Sequence, residues 1–130
     1  MNPEMLELND WVEELKNSDK IILVEGKNDV LALKQLGINN DIVFLNKPLF
    51  EVVEDIVNNK NNKKITNKKN NKEVIILTDL DKKGKQRYGK LKKDLCRNGC
   101  KIDFYFREFL QRKTKIRQIE GLPRYLERLK

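Results

Sequence analysis

Val74-Ile75-Ile76-Leu77-Thr78-Asp79-Leu80-Asp81-Lys82-Lys83-Gly84 is the stretch on which the reading of this chain turns. Residues 74–78 are apolar or β-branched and show no polar alternation. That pattern suits a strand covered on both faces, as in a parallel sheet flanked by helices. The strand ends abruptly in Asp79-Leu80-Asp81, and an extended strand end places both carboxylates on one side. Two hard oxygen donors of this kind suit Mg²⁺, which takes one or two protein carboxylates and keeps water or phosphate in its other positions. Gly84 follows closely, where a backbone must turn tightly or approach a ligand.

Working outward, three further apolar runs read as strands, at residues 21–24, 42–45 and 102–106, and helical patterns lie between them. Residues 28–36 end at Gly37, a plausible C-terminal cap. Residues 48–57 place Leu49, Val52, Val53, Ile56 and Val57 on one stripe, with Pro48 in the first turn. Residues 86–97 align Tyr88, Leu91 and Leu95 and stop before Gly99. The expected fold class is therefore α/β, a four-stranded, mainly parallel sheet flanked by helices. Residues 1–19 read as an N-terminal amphipathic helix built on Met5, Leu8, Val12 and Leu15, with Trp11 alongside. Residues 20–107 form the α/β domain. Residues 108–130 read as a basic helical tail that packs through Ile119, Leu122, Leu126 and Leu129.

In an open α/β sheet, ligands bind beyond the carboxyl ends of the strands. The first strand also ends in acid, as Glu25-Gly26-Lys27-Asn28-Asp29. A lone strand-end Asp is adequately explained as a cap or turn residue. Two acidic segments, each directly after a buried strand and each followed closely by glycine, are better explained as one site.

Charge sharpens that expectation. The 130 residues carry a formal net charge of +8, yet residues 1–57 hold twelve acidic residues against five basic ones. The positive charge lies downstream in three blocks, at residues 58–73, 82–101 and 111–130. The first block, NNKNNKKITNKKNNKE, has Ile65 as its only apolar residue, so it reads as a flexible Asn/Lys loop inside the domain. The second begins at the Asp-x-Asp pair. Lys27, Lys82, Lys83, Lys85 and Arg87 are the candidate phosphate contacts, and an anionic partner such as RNA or DNA is implied.

Composition also excludes chemistry. The chain contains no histidine, so Ser-His-Asp and Cys-His catalysis and His-ligated zinc are absent. Cys96 and Cys100 in CRNGC lack two further N or S ligands for zinc, and read as structural filler or, less simply, a redox pair. No apolar run approaches the ~20 residues of a membrane span, so no membrane partner is expected. The start MNPEMLELNDWVEEL lacks the basic and apolar segments of a signal peptide, which leads to the expectation of a cytoplasmic protein with reduced thiols.

The segments VEGKND and, about fifty residues later, ILTDLDKKG resemble the Toprim domain. It is shared by type IA topoisomerases, bacterial primases, OLD-family nucleases and the nucleases that mature 5S ribosomal RNA. The resemblance covers roughly residues 20–107, and the chain is most similar to the small stand-alone, primase-like Toprim proteins of archaea. It implies a Rossmann-like Toprim fold with helical N- and C-terminal extensions. It also implies that Glu25 is the general acid or base, that Asp79, Asp81 and Glu25 are the metal residues for one or two Mg²⁺ ions, and that Asp29, with Gly26 and Gly84, supports the site. Leu80 departs from many maturation nucleases, which have proline between the aspartates.

Elementary chemistry agrees, because without histidine proton transfer falls to carboxylate, Lys, Tyr or water. Glu120, in QIEGLPRY, is either a further acidic ligand or a solvated capping residue. Tyr88, Tyr105 and Tyr125 receive no nucleophilic role. The leading expectation is Mg²⁺-dependent phosphodiester chemistry of nuclease, primase or topoisomerase type. The alternative is a non-catalytic nucleic-acid-binding module within a larger processing complex. A haloacid-dehalogenase reading fails at Lys83, where Thr or Val is needed, and no G-x-G-x-x-G or Walker spacing supports a nucleotide-binding loop.

Overall fold

The computed structural model describes residues 2–61 and 73–130. The elements, in chain order, are α1 (Pro3–Lys16), β1 (Ile21–Val24), α2 (Lys27–Gln35), β2 (Ile42–Phe44), α3 (Leu49–Asn61), β3 (Glu73–Leu77), α4 (Lys82–Arg97), β4 (Lys101–Ile102), α5 (Tyr105–Lys113), a 3-10 turn at Ile119–Gly121 and α6 (Leu122–Leu129). Among the described residues no helix is long and apolar enough to cross a membrane.

The strands form one sheet in the order β2-β1-β3-β4, and every pairing is parallel. Side chains of the two central strands alternate between faces, and both faces are apolar. Ile22, Val24, Ile75 and Leu77 point toward α1, α2, α5 and α6, where Leu8, Trp11, Leu15, Leu33, Phe106 and Leu110 complete one core. Leu23, Val74 and Ile76 point toward α3 and α4, where Val52, Val53, Ile56, Leu91 and Leu95 complete the other. Burial on both sides explains why these strands read as continuous Ile, Val and Leu runs.

The N-terminal helix docks as its pattern predicts, with Leu8, Trp11, Val12 and Leu15 buried. Trp11 donates its indole N–H to the Phe106 carbonyl at 3.0 Å and stacks on the Phe109 ring. In the tail, Ile119 and Leu122 are buried, while Leu126 and Leu129 pack at the core's margin.

Several element boundaries differ from the sequence reading, most by one residue and four for a reason visible in the structure. The fourth strand ends at Ile102 rather than 106, because the Asp103 side chain accepts the Tyr105 amide at 3.0 Å and turns the chain into α5. Helix α4 starts at Lys82, four residues earlier than its apolar stripe, because Asp81 caps it. Pro48 stands just ahead of α3, its carbonyl accepting the amides of Glu51 and Val52, rather than within the first turn. Helix α3 continues to Asn61 through polar residues that carry no periodic signal. The expected Asn/Lys loop at 58–73 thus gives its first four residues to α3 and Glu73 to β3, and residues 62–72 lie outside the described residues.

Truncation of a fully buried aromatic side chain removes both transfer energy and packing. Trp11→Ala is expected to lower unfolding stability by about 3–5 kcal/mol in urea titration. A loss below about 1 kcal/mol would contradict the docking of α1 onto the sheet.

Candidate functional site

The chain crosses from one side of the sheet to the other between β1 and β3: β1 leads through α2 to β2 on one flank, and β3 leads through α4 to β4 on the other. Such a switch point opens a crevice beyond the strand ends. Register places Val24 opposite Leu77, so Glu25 and Asp79 emerge side by side. Residues 54 positions apart in sequence then bond directly, the Asp79 amide donating to Glu25 Oε2 at 3.0 Å.

The β3–α4 turn is held closed by its own atoms. The hydroxyl of fully buried Thr78 donates to the Gly84 carbonyl at 2.8 Å, and the Gly84 amide donates to Asp81 Oδ1 at 2.8 Å. Asp81 is thereby the N-cap of α4. A β-carbon on Gly84 would stand 1.9 Å from the Asp79 carbonyl oxygen, so only glycine fits there. Asp29 performs the corresponding task after β1. It is buried, and its Oδ2 accepts the Gly26 amide at 3.0 Å across the first turn of α2.

A cavity of about 530 Å³ opens at these turns. Glu25, Gly26, Asp29, Asp79 and Glu120 line it together with Arg87, Lys47 and Gln118. Arg87 donates to Glu25 Oε1 at 2.6 Å. Its side chain is 42% exposed while that of Glu25 is 14% exposed, so the cation is the partner free to leave. Lys27, Lys82, Lys83 and Lys85 are exposed on the first turns of α2 and α4 and do not line the cavity. Cys96 is exposed and Cys100 is buried in the apolar core beneath α4.

The carboxylates perturb one another. Burial raises the Asp79 pKa to about 6, with further upward pressure from the charges of Asp29, Glu25 and Asp81, while the Ile119 amide acts in the opposite sense. Asp29 is also raised, first by burial and further by Glu120 and Glu25, against the backbone amides of Gly26 and Glu120. Such crowding of acid, with Arg87 the one cation ion-paired to a site carboxylate among the described residues, favours a further cation.

Two of these carboxylates, Asp79 and Asp81, each keep one oxygen open. Asp79 Oδ1 accepts the Ile119 amide at 3.0 Å and Asp81 Oδ1 accepts the Gly84 amide. The second oxygen of each carries no hydrogen bond among the described residues. Among the described residues no group of three or more His, Cys, Asp or Glu side chains is placed to hold a metal ion together.

Sequence reasoning missed Arg107. Only 4% exposed, it donates from Nη2 to the Asp79 carbonyl at 2.7 Å and from Nε to the Thr78 carbonyl at 3.2 Å, and stacks on Tyr88 at 4.5 Å. Burial lowers its pKa from the usual arginine value, with Tyr88 and the site carboxylates opposing. Its signal lay in its place within the apolar stripe of Phe106 and Leu110. Lys47, Gln118 and the Ile119 amide were also missed, because loop residues carry no periodicity.

The sequence matches the Toprim domain over residues 20–109. It is similar to the UPF0292 protein of Thermoplasma volcanium, with 34% identity over 114 residues, 87% of each chain. The UPF0292 protein of Methanocaldococcus jannaschii is 31% identical over 90% of this chain and 88% of the relative. A solved structure of an Aquifex aeolicus protein superposes with a TM-score of 0.69 at 35% identity, covering 88% of this chain and 96% of the other.

Two outcomes follow from the geometry. Gly84→Ala is expected to cost about 1–3 kcal/mol or more by overpacking. Gly89→Ala, in the same helix with nothing within 4 Å of the new atom, is expected to stabilise by about 0.4–1 kcal/mol. Equal effects in chemical denaturation would contradict the close approach at Gly84. Asp79 binds its proton more tightly in the folded state than at the ordinary 3.8, so its contribution to stability is full below about pH 4 and is lost as pH rises through about 6. In metal-free buffer, wild type is expected to lose stability relative to Asp79→Asn across that window; parallel melting curves would contradict it.

Proposed function

The chain belongs to the Toprim family, and we propose that it performs Mg²⁺-dependent chemistry on the phosphodiester bonds of nucleic acid. The observation that carries this reading is the arrangement at the switch point. Glu25 and Asp79 meet there at two strand ends, with Asp81 two residues on at the cap of α4, an exchangeable arginine on the cavity and a lysine-rich helix leading away.

Asp79 and Asp81 would hold the ion through the oxygens their amide partners leave open. When bound, Mg²⁺ supplies charge neutralisation at the phosphate and orientation for in-line displacement. The chain's own groups do the rest. Arg87 leaves Glu25 for a phosphate oxygen, to which its guanidinium fork is well matched. Glu25 Oε1 is then open to accept or return a proton, while the Asp79 amide keeps the carboxylate oriented through Oε2. Lys27, Lys82, Lys83 and Lys85 extend the phosphate track without reading sequence. Cleavage, strand transfer and nucleotidyl transfer all use these roles.

One observation favours the second reading, a non-catalytic nucleic-acid-binding module. Both Glu25 oxygens are engaged in the free protein, one of them by a cation. Under that reading Arg87 stays on Glu25, the site only positions metal and phosphate, and catalysis belongs to a larger complex.

Incubation with structured RNA, single-stranded DNA and duplex DNA, with Mg²⁺ or EDTA, separates the two. The enzyme reading expects EDTA-sensitive turnover that falls by about 10²–10⁴-fold in Glu25→Gln and is lost in Asp79→Asn. Binding without turnover on every substrate establishes the module instead. Affinity is expected to fall with salt at a log–log slope of roughly −0.7 to −0.9 per phosphate neutralised, and a flat response would contradict nucleic-acid binding altogether.

A further inference from the structure

Helices α4 and α5 enclose a second cavity of about 320 Å³, lined by Tyr88, Lys92, Phe104, Arg107, Glu108 and Gln111. Its size is at the lower end of small-molecule sites, roughly 300–1,000 Å³, enough for one planar ring system. We propose that this cavity receives a single unpaired nucleobase of a strand whose phosphates run along α4 to the carboxylate site. The inference rests on the nucleic-acid reading given above and adds the substrate class: single-stranded, or locally unpaired, nucleic acid.

Three observations support that occupant. First, the cavity is lined by two aromatic rings. Phe104, the N-cap residue of α5, is 41% exposed, and Tyr88 lines the same cavity from α4. Bases stack on such rings regardless of sequence. Secondly, the charge is wrong for a cationic guest. The Lys92 ammonium lies 5.1 Å from the Phe104 centroid and 5.9 Å from that of Tyr88, and Arg107 covers Tyr88 at 4.5 Å, against a single acid, Glu108. A stacked base would displace the Lys92 ammonium from the rings toward the adjoining phosphate. Gln111 offers both a donor and an acceptor, and Glu108 an acceptor, to the edge of a base.

Thirdly, the cavity is connected to the candidate site. Arg107 lines it and also donates to the Thr78 and Asp79 carbonyls. Tyr88 lies seven residues along α4 from its cap Asp81, about 10 Å at 1.5 Å per residue, or roughly three nucleotides of a stacked strand at 3.4 Å each. Lys85, Tyr88 and Lys92 are spaced at i, i+3 and i+7, so they share one face of the helix. A base held here therefore sets which phosphate reaches Asp79.

Fluorescence anisotropy with the full chain tests this, using a fluorescein-labelled single-stranded dodecamer and an abasic dodecamer with the same phosphates. Wild type is expected to bind the base-bearing strand about tenfold or more tightly than the abasic one. Phe104→Ala, at an exposed position, is expected to remove that preference without weakening the abasic strand, and Phe104→Trp to restore it. Equal affinity of wild type for both strands, a Phe104→Ala variant that keeps the preference, or one that weakens both strands equally would each overturn the base site while leaving nucleic-acid binding intact. Failure of either strand to bind would overturn the nucleic-acid reading along with it.

Discussion

Asp79 is the residue on which the rest of the site depends. Its amide donates to Glu25, its carbonyl accepts from buried Arg107, its carboxylate accepts from the Ile119 amide, and Gly84 presses against its carbonyl too closely for any side chain. Four segments, from the end of β1, the starts of α4 and α5 and the turn before α6, thus meet at one residue. The bonds to its amide and carbonyl pair backbone groups that the end of a buried strand would otherwise leave unsatisfied. The constraint explains the tail as well, since the Leu80 amide donates to the Arg117 carbonyl at 2.8 Å and brings Glu120 to the cavity.

The electrostatic consequence is an acidic pocket in a basic protein. Net charge of +8 conceals a first part rich in acid, whose Glu25 and Asp29 face Asp79 and Asp81 across the strand ends. Arg107 lies close, but its Nε and Nη2 bond backbone carbonyls and its plane stacks on Tyr88, so it braces the turn without forming a carboxylate ion pair among the described residues. Arg87 alone touches a site carboxylate among the described residues, through an exposed arm. The pocket is therefore held by fixed backbone donors and a removable cation, an arrangement suited to exchanging that cation for phosphate and metal.

Much of this was legible in sequence for physical reasons. Strands buried on both faces announce themselves as apolar runs, and β1 falls where its run places it. The glycine at 84 and the acids at 25, 79 and 81 were readable because strand ends in parallel sheets are where ligands bind. Boundaries were less legible wherever a side chain overrode the pattern. Asp103 cut short the fourth strand, and Asp81 started α4 a turn before its apolar stripe. The dual role of Asp81, cap and candidate ligand, shows that the two readings of a strand-end acid are compatible. Arg107, Lys47 and the Ile119 amide were hidden because their roles arise from contacts 28 to 40 residues away or from loop geometry, which no local period encodes.

A paramagnetic titration addresses the central claim most directly. Mn²⁺ takes the same oxygen donors as Mg²⁺ and broadens nearby amide resonances in the two-dimensional NMR spectrum of the free chain. Selective broadening at residues 25–29, 79–84 and 118–120, reversed by excess Mg²⁺ and abolished in Asp79→Asn, is expected. Broadening spread over other surface acids, or unaffected by Asp79→Asn, would contradict a divalent-ion site at the end of β3.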